Sequence, residues 1–184
     1  HGAPDPSTDG DLDGDGHEKY LLTVNADPTD LFGSALRMQT AAEALQRIKA
    51  RSLIFIVDAC YSGSASAGDA VRTLSRTGTR GVEVISDGYL DRLASSGQGR
   101  VVLTASSANE LSHESTDLQH GVFTYYLLQG LRGGADTDEN DLITVAEIYS
   151  FVLDSVPERT NLQQHPVIKR GEGSEGQILL RWRP

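Results

Sequence analysis

The 184-residue chain has one cysteine, one methionine, one tryptophan and no long apolar run. A single cysteine excludes an internal disulfide, so nothing in the covalent design calls for an oxidising compartment, and the cytoplasm is the favoured location. The apolar runs are too short to cross a bilayer as a helix. Positive charge is also scarce, because 16 Lys and Arg face 26 Asp and Glu for a net charge of -10. That balance argues against nucleic acid or an anionic membrane as partner, and suits basic peptides or cations. What is present is enough for one domain: 38% hydrophobic residues gathered in discrete segments, with 23% charged residues for the surface. The chain opens on His1 rather than a methionine, so any targeting signal would precede it.

The segment that organises the rest is Leu53-Ile54-Phe55-Ile56-Val57-Asp58-Ala59-Cys60-Tyr61-Ser62-Gly63. Its five apolar residues predict a strand buried on both faces, after which polarity changes abruptly at Asp58. In an open α/β sheet the carboxyl ends of the strands form the ligand-binding rim. Cys60 sits at that rim as a candidate nucleophile, and its base should come from elsewhere in the chain. The five histidines are His1, His17, His113, His120 and His165.

Elsewhere, residues 3–18 are rich in Asp, Gly, Pro and Ser and predict an exposed loop. Residues 20–24 predict a short strand ended by the turn chemistry of Asn25-Ala26-Asp27-Pro28. Thr40 followed by Glu43 predicts a capping box, with Ala42, Leu45 and Ile48 on the buried face of the helix and Lys49 and Arg51 at its end. Residues 62–81 form a long polar connection. Residues 82–93 predict a helix and residues 100–105 a second buried strand, whose carboxyl end opens into a polar loop over 106–119. A helix over 121–132 places Phe123, Tyr126, Leu127 and Leu131 on one face and stops at Gly133-Gly134. The last helix spans 144–156, and 177–182 closes the chain as a strand.

His1-Gly2, the acidic loop, Tyr20-Leu21-Leu22 and Asp58-Ala59-Cys60-Tyr61-Ser62-Gly63 together resemble the caspase-like clan of cysteine peptidases, most closely its metacaspase and bacterial caspase-like branch. The separation of His1 from Cys60 suits the roughly 50 residues expected in caspases. The resemblance continues through Val101-Val102-Leu103-Thr104-Ala105-Ser106-Ser107 and Gly121-Val122-Phe123-Thr124-Tyr125-Tyr126-Leu127-Leu128. It implies an α/β/α sandwich with a mainly parallel central sheet, spanning residues 1–184 as one peptidase domain whose first strands precede this chain. It also implies a His1–Cys60 dyad, an oxyanion hole built from the backbone N–H groups of Gly2 and Cys60, and no cofactor for the chemistry itself. Asp58 shares the face of Cys60 and matches the aspartate with which metacaspases pair a P1 Arg or Lys; a capping role for Asp58 is the alternative. His113 and His120 are rival bases.

The family's Pro-x-Asp pattern at the pocket is replaced here by Thr23 and Asn25. The 62–81 connection corresponds to the intersubunit region, where Arg72, Arg76 and Arg80 are candidate autoprocessing sites; an uncut surface loop is the alternative.

Two segments resemble calcium loops. Asp11, Asp13 and Asp15 occupy positions one, three and five with Gly16 at six, but Leu22 stands at twelve where a Glu is required. Asp136, Asp138, Asn140 and Glu147 occupy one, three, five and twelve, with Asp141 in place of the glycine at six. The alternatives are a solvated acidic loop and a helix start capped by Thr144 and Glu147. A competing function is a calcium-responsive or signalling interaction module that keeps the fold with little turnover. A generic α/β binding domain would leave His1-Gly2 and Cys60-Tyr61-Ser62-Gly63 unexplained.

Overall fold

A computed structural model describes residues 2–5, 18–27, 29–59, 87–107, 110–174 and 176–181. The strand Leu53–Val57 (β4) forms where the apolar run predicts it and pairs in parallel with Arg100–Thr104 (β5), Leu53 opposite Arg100 and Val57 opposite Thr104. On its other edge β5 pairs antiparallel with Val167–Arg170 (β9). β5 is thus the central strand, and all five of its residues are buried.

Alternation along β5 divides the core. Val102 packs with Met38, Ala42, Tyr89, Leu90, Leu93 and Ala94, contributed by the helices Met38–Arg47 (α2) and Asp87–Ser95 (α3). The next residue, Leu103, packs into a larger cluster with Phe123 and Leu127 of Val122–Gln129 (α4) and with Ile148, Val152 and Val156 of Val145–Arg159 (α5). The two registers of one strand therefore serve two helical faces. At the start of β5 the buried Arg100 donates to the carbonyls of Leu45 and Ile48 at 2.8 and 3.3 Å, which ties the end of α2 to the sheet.

Smaller pieces surround this frame. Gly2–Asp5 (β1), Glu18–Leu21 (β2) and Leu36–Arg37 (β3) make an antiparallel sheet, with the short helix Leu31–Ser34 (α1) between β2 and β3. Glu114–Ser115 (β6) pairs with His120–Gly121 (β7), and Leu142–Thr144 (β8) pairs with Ile178–Arg181 (β10). Among the described residues no helix is long and apolar enough to cross a membrane.

Several boundaries differ from the sequence expectations. Residues 3–5 and Glu18 belong to strands rather than to a loop, and Glu18 is buried in an ion pair with Arg37 at 2.9 Å. The strand expected over 20–24 ends at Leu21, because Ala26 N–H already donates to the Thr23 carbonyl in a turn. Thr40 is not a cap: β3 runs straight into α2, burying Met38 as the first helical residue, and Glu43 instead accepts from Gln39 at 3.1 Å. Ile48 lies past the end of that helix and is 44% exposed. β4 is not buried on both faces; among the described residues it pairs only with β5, and Ile56 remains exposed. The helix expected over 121–132 is α4 followed by a wider π-type turn, Gly130–Gly134, in which Gly133 adopts φ 106° and breaks the helix. α5 runs on to Arg159, past the expected end at residue 156. β9, the four residues directly following Pro166, carries no period from which a strand could be read.

Candidate active site at the rim of the central sheet

Asp58 leaves the carboxyl end of β4, on the rim where the neighbouring β5 delivers residues 105–107 and 110–113. Its carboxylate accepts a hydrogen bond from Ser112 Oγ at 2.8 Å on Oδ1 and from Thr124 Oγ1 at 2.5 Å on Oδ2. Ser112 comes from the loop after β5 and Thr124 from the first turn of α4, so three chain segments converge on one acid. Gly121, the N-cap of α4, presses against the same group: a Cβ there would lie 2.9 Å from Asp58 Oδ2. Despite these contacts Asp58 is solvent-exposed, and two hydroxyl donors leave a carboxylate with lone pairs for a further donor. A positive α4 terminus beside it favours negative charge at this place.

The frame behind Asp58 is a fully buried amide. Gln164, 0% exposed, donates from Nε2 to the Ala105 carbonyl at 2.8 Å and, over a longer 3.5 Å, to Ser112 Oγ. Its Oε1 accepts from the His113 backbone N–H at 2.8 Å. Next to it His165 Nδ1 meets Glu110 Oε1 at 2.7 Å, while the His165 backbone N–H donates to Glu110 Oε2 at 2.7 Å. Burial alone would raise the Glu110 carboxyl, but the hydrogen bonds from His165 and Ser107 outweigh it and hold the group below the usual carboxylate range. Gln164 and the Glu110–His165 pair carry no signal in the sequence, since each joins residues more than fifty positions apart.

Of the other expected site residues, Gly2 opens β1 opposite Leu21. His1 and Cys60 lie outside the described residues, as do Asp11, Asp13, Asp15, Arg72, Arg76 and Arg80. Of the rival bases, His113 sits in the loop after β5 with its backbone held by Gln164, and His120 is exposed in β7. Thr23 donates to the Ser34 carbonyl, and the nearby Asp27 is occupied in its own turn, its carboxyl lowered by hydrogen bonds from the hydroxyl and N–H of Thr29.

Away from the rim, Asp136, Asp138 and Glu147 bring carboxylate oxygens within 4.8 Å of one another. Asp136 accepts from the N–H groups of Asn140 and Asp141, and Asp141 takes φ 61°, the left-handed conformation that position six of a calcium loop demands. Asn140 Nδ2, however, donates to Asp138 at 2.7 Å. Both oxygens of Glu147 are also engaged: one completes a capping box with Thr144, and the other accepts from Thr137. The helix-cap expectation for Thr144 and Glu147 is therefore met.

No curated protein and no solved structure gives a significant match to this chain. A family model described as the caspase domain matches residues 1–172, which takes in β1, the β4 rim, Asp58 and its partners. The chain therefore belongs to the caspase-domain family, a family of cysteine-type peptidases.

Proposed function

We propose that this chain is an endopeptidase with a caspase-like α/β/α sandwich, using His1 and Cys60 as a dyad to cleave after Arg or Lys. The observation that carries the reading is Asp58: an exposed carboxylate at the sheet rim, two residues before Cys60, held by two hydroxyl donors. A cationic P1 side chain supplies the donor that its remaining lone pairs can accept, most completely the planar fork of Arg. The net charge of -10 favours the same substrates.

The chemistry follows from the residue types. A protonated His1 beside Cys60 favours the thiolate, whose sulfur attacks the scissile carbonyl carbon. The oxyanion that forms is met by the backbone N–H groups of Gly2 and Cys60. Collapse breaks the C–N bond, and the amine leaves with the proton of His1. Water then adds to the thioester while His1 takes its proton; the C–S bond breaks, releasing the acid and restoring the thiolate beside protonated His1. No metal takes part in these steps.

A second reading, a calcium-responsive module, is favoured by the Asp136, Asp138 and Glu147 cluster, with Asn140 and the left-handed Asp141 completing the loop pattern. An ion held there would stiffen the connection between α4 and α5 without touching the rim.

Matched peptides with Arg, Lys or Asp at P1, assayed with and without calcium and against Cys60→Ala, separate these readings. Turnover of the Arg and Lys peptides that disappears in Cys60→Ala is the expected result. Cleavage of the Asp peptide alone would overturn the pocket assignment. Absence of turnover together with a calcium-induced rise in Tm would move the function to the module.

A further inference from the structure

Asp58 has two hydroxyl partners, and a hydroxyl can point its proton either way. The buried Gln164 biases the Ser112 proton toward the acid through its own constraints. Its Oε1 must face the His113 N–H and its Nε2 must face the Ala105 carbonyl, since the opposite orientation would set N–H against N–H and oxygen against oxygen. With Nε2 so placed, its second hydrogen is directed at Ser112 Oγ. The amide hydrogen takes a lone pair of the Ser112 oxygen, and the hydroxyl donates its proton to Asp58 Oδ1 at 2.8 Å.

The anchoring points also matter. Ala105 N–H donates to the Val57 carbonyl, so the residue that Gln164 grips is bonded to the end of β4, one residue before Asp58. His113 returns its carbonyl to the N–H of Val122, the first residue of α4, whose third residue is Thr124. Gln164 thus sits at the junction of the three segments that build the acid's surroundings, in a position with no access to solvent.

We propose that Ser112, aimed by the buried Gln164, is a positioning residue that fixes the direction of Asp58 and thereby sets how strongly the enzyme prefers a charged P1 side chain. The inference rests on the reading of Asp58 as the P1 acid. Ser112 does not contact substrate; it acts through the carboxylate. Its removal leaves Oδ1 free to turn, and the loss falls on binding of the cationic side chain.

The test compares kcat/KM for two peptides differing only at P1, Arg against its uncharged counterpart citrulline, in the wild type and in Asp58→Asn, Ser112→Ala, Ser112→Thr and Gln164→Glu. Gln164→Glu keeps the acceptor for His113 but offers Ser112 a competing acceptor in place of a donor. The expected result is an Arg-to-citrulline ratio that collapses in Asp58→Asn and falls about three- to tenfold in Ser112→Ala and Gln164→Glu, mainly through KM, the scale of one ordinary hydrogen bond felt through the carboxylate. Ser112→Thr, which retains the hydroxyl, is expected to restore the ratio. A purely structural role would lower both substrates together and leave the ratio unchanged, which would overturn the inference. If the wild type shows no preference for Arg, or Asp58→Asn keeps it, the P1 reading itself fails. If only Asp58→Asn loses it, the positioning role of Ser112 fails alone. Should Gln164→Glu not fold, the contrast between Ser112→Ala and Ser112→Thr decides.

Discussion

At the scale of single residues, the rim is held by hydrogen bonds to acids that differ in their duties. Asp58 keeps solvent access, whereas Glu110 is closed into a pair with His165 that ties the loop after β5 to the segment carrying Gln164. The Glu110 carboxyl is lowered in the folded protein, so the unfolded chain takes up its proton first as pH falls. Its stabilising contribution is therefore complete above the unfolded value of about 4.3 and is lost as pH drops through the lower folded value. Glu110→Gln is expected to lower Tm at neutral pH and to flatten the acid limb of a Tm against pH curve, so that the two curves converge as pH falls through the folded value. Curves for the two proteins that stay parallel from neutral to acid pH would show that the pair contributes nothing to acid sensitivity.

At the scale of elements, the most instructive junction is that between α2 and β5. Arg100 is a charged residue opening a fully buried strand, and its guanidinium is spent on two carbonyls at the end of a helix. Arg100→Met keeps much of the stem but leaves those carbonyls without their donor. The expected cost is about 2 kcal/mol, seen as a Tm lower by about 4–8 °C in thermal unfolding. A fall of under about 1 °C would mean that water replaces the guanidinium without loss.

The same scale shows which features the sequence makes legible. β4, β5, α4 and α5 are all readable, because an apolar run or a 3.6-residue period long enough to bury a face dictates the element. The start of α2 is not, because pairing of β3 with β2 and burial of Met38 override a capping pattern that looks sound locally. β9 has four residues and no period, and its place is fixed by pairing with β5 and by packing on α3, where Lys169 meets Asp91 at 3.2 Å. In the site, Asp58 can be picked out from its position beside a strand end and a cysteine. Its partners cannot, since Ser112 and Thr124 are 54 and 66 positions away and are unremarkable hydroxyls until the fold brings them together.

At the scale of the whole molecule, the net charge of -10 gives the chain an acidic field. Such a field speeds encounter with basic peptides and is weakened by salt. Raising the ionic strength from about 0.05 to about 0.3 M is expected to lower kcat/KM for a P1 Arg peptide several-fold while sparing a neutral peptide of the same length. Equal effects on both peptides would assign the salt response to something other than steering.

The route by which Asp58 acquires its partners also bears on biosynthesis. The acid is made before its two hydroxyl donors, and the amide that aims one of them later still, after α5 is complete. A chain still on the ribosome therefore carries the acid without its frame, because the contacts that set it are long-range and close only when Gln164 has emerged. On the proposed role of Asp58, selectivity is then an end-stage property of folding, set only after the acid's frame has closed around it.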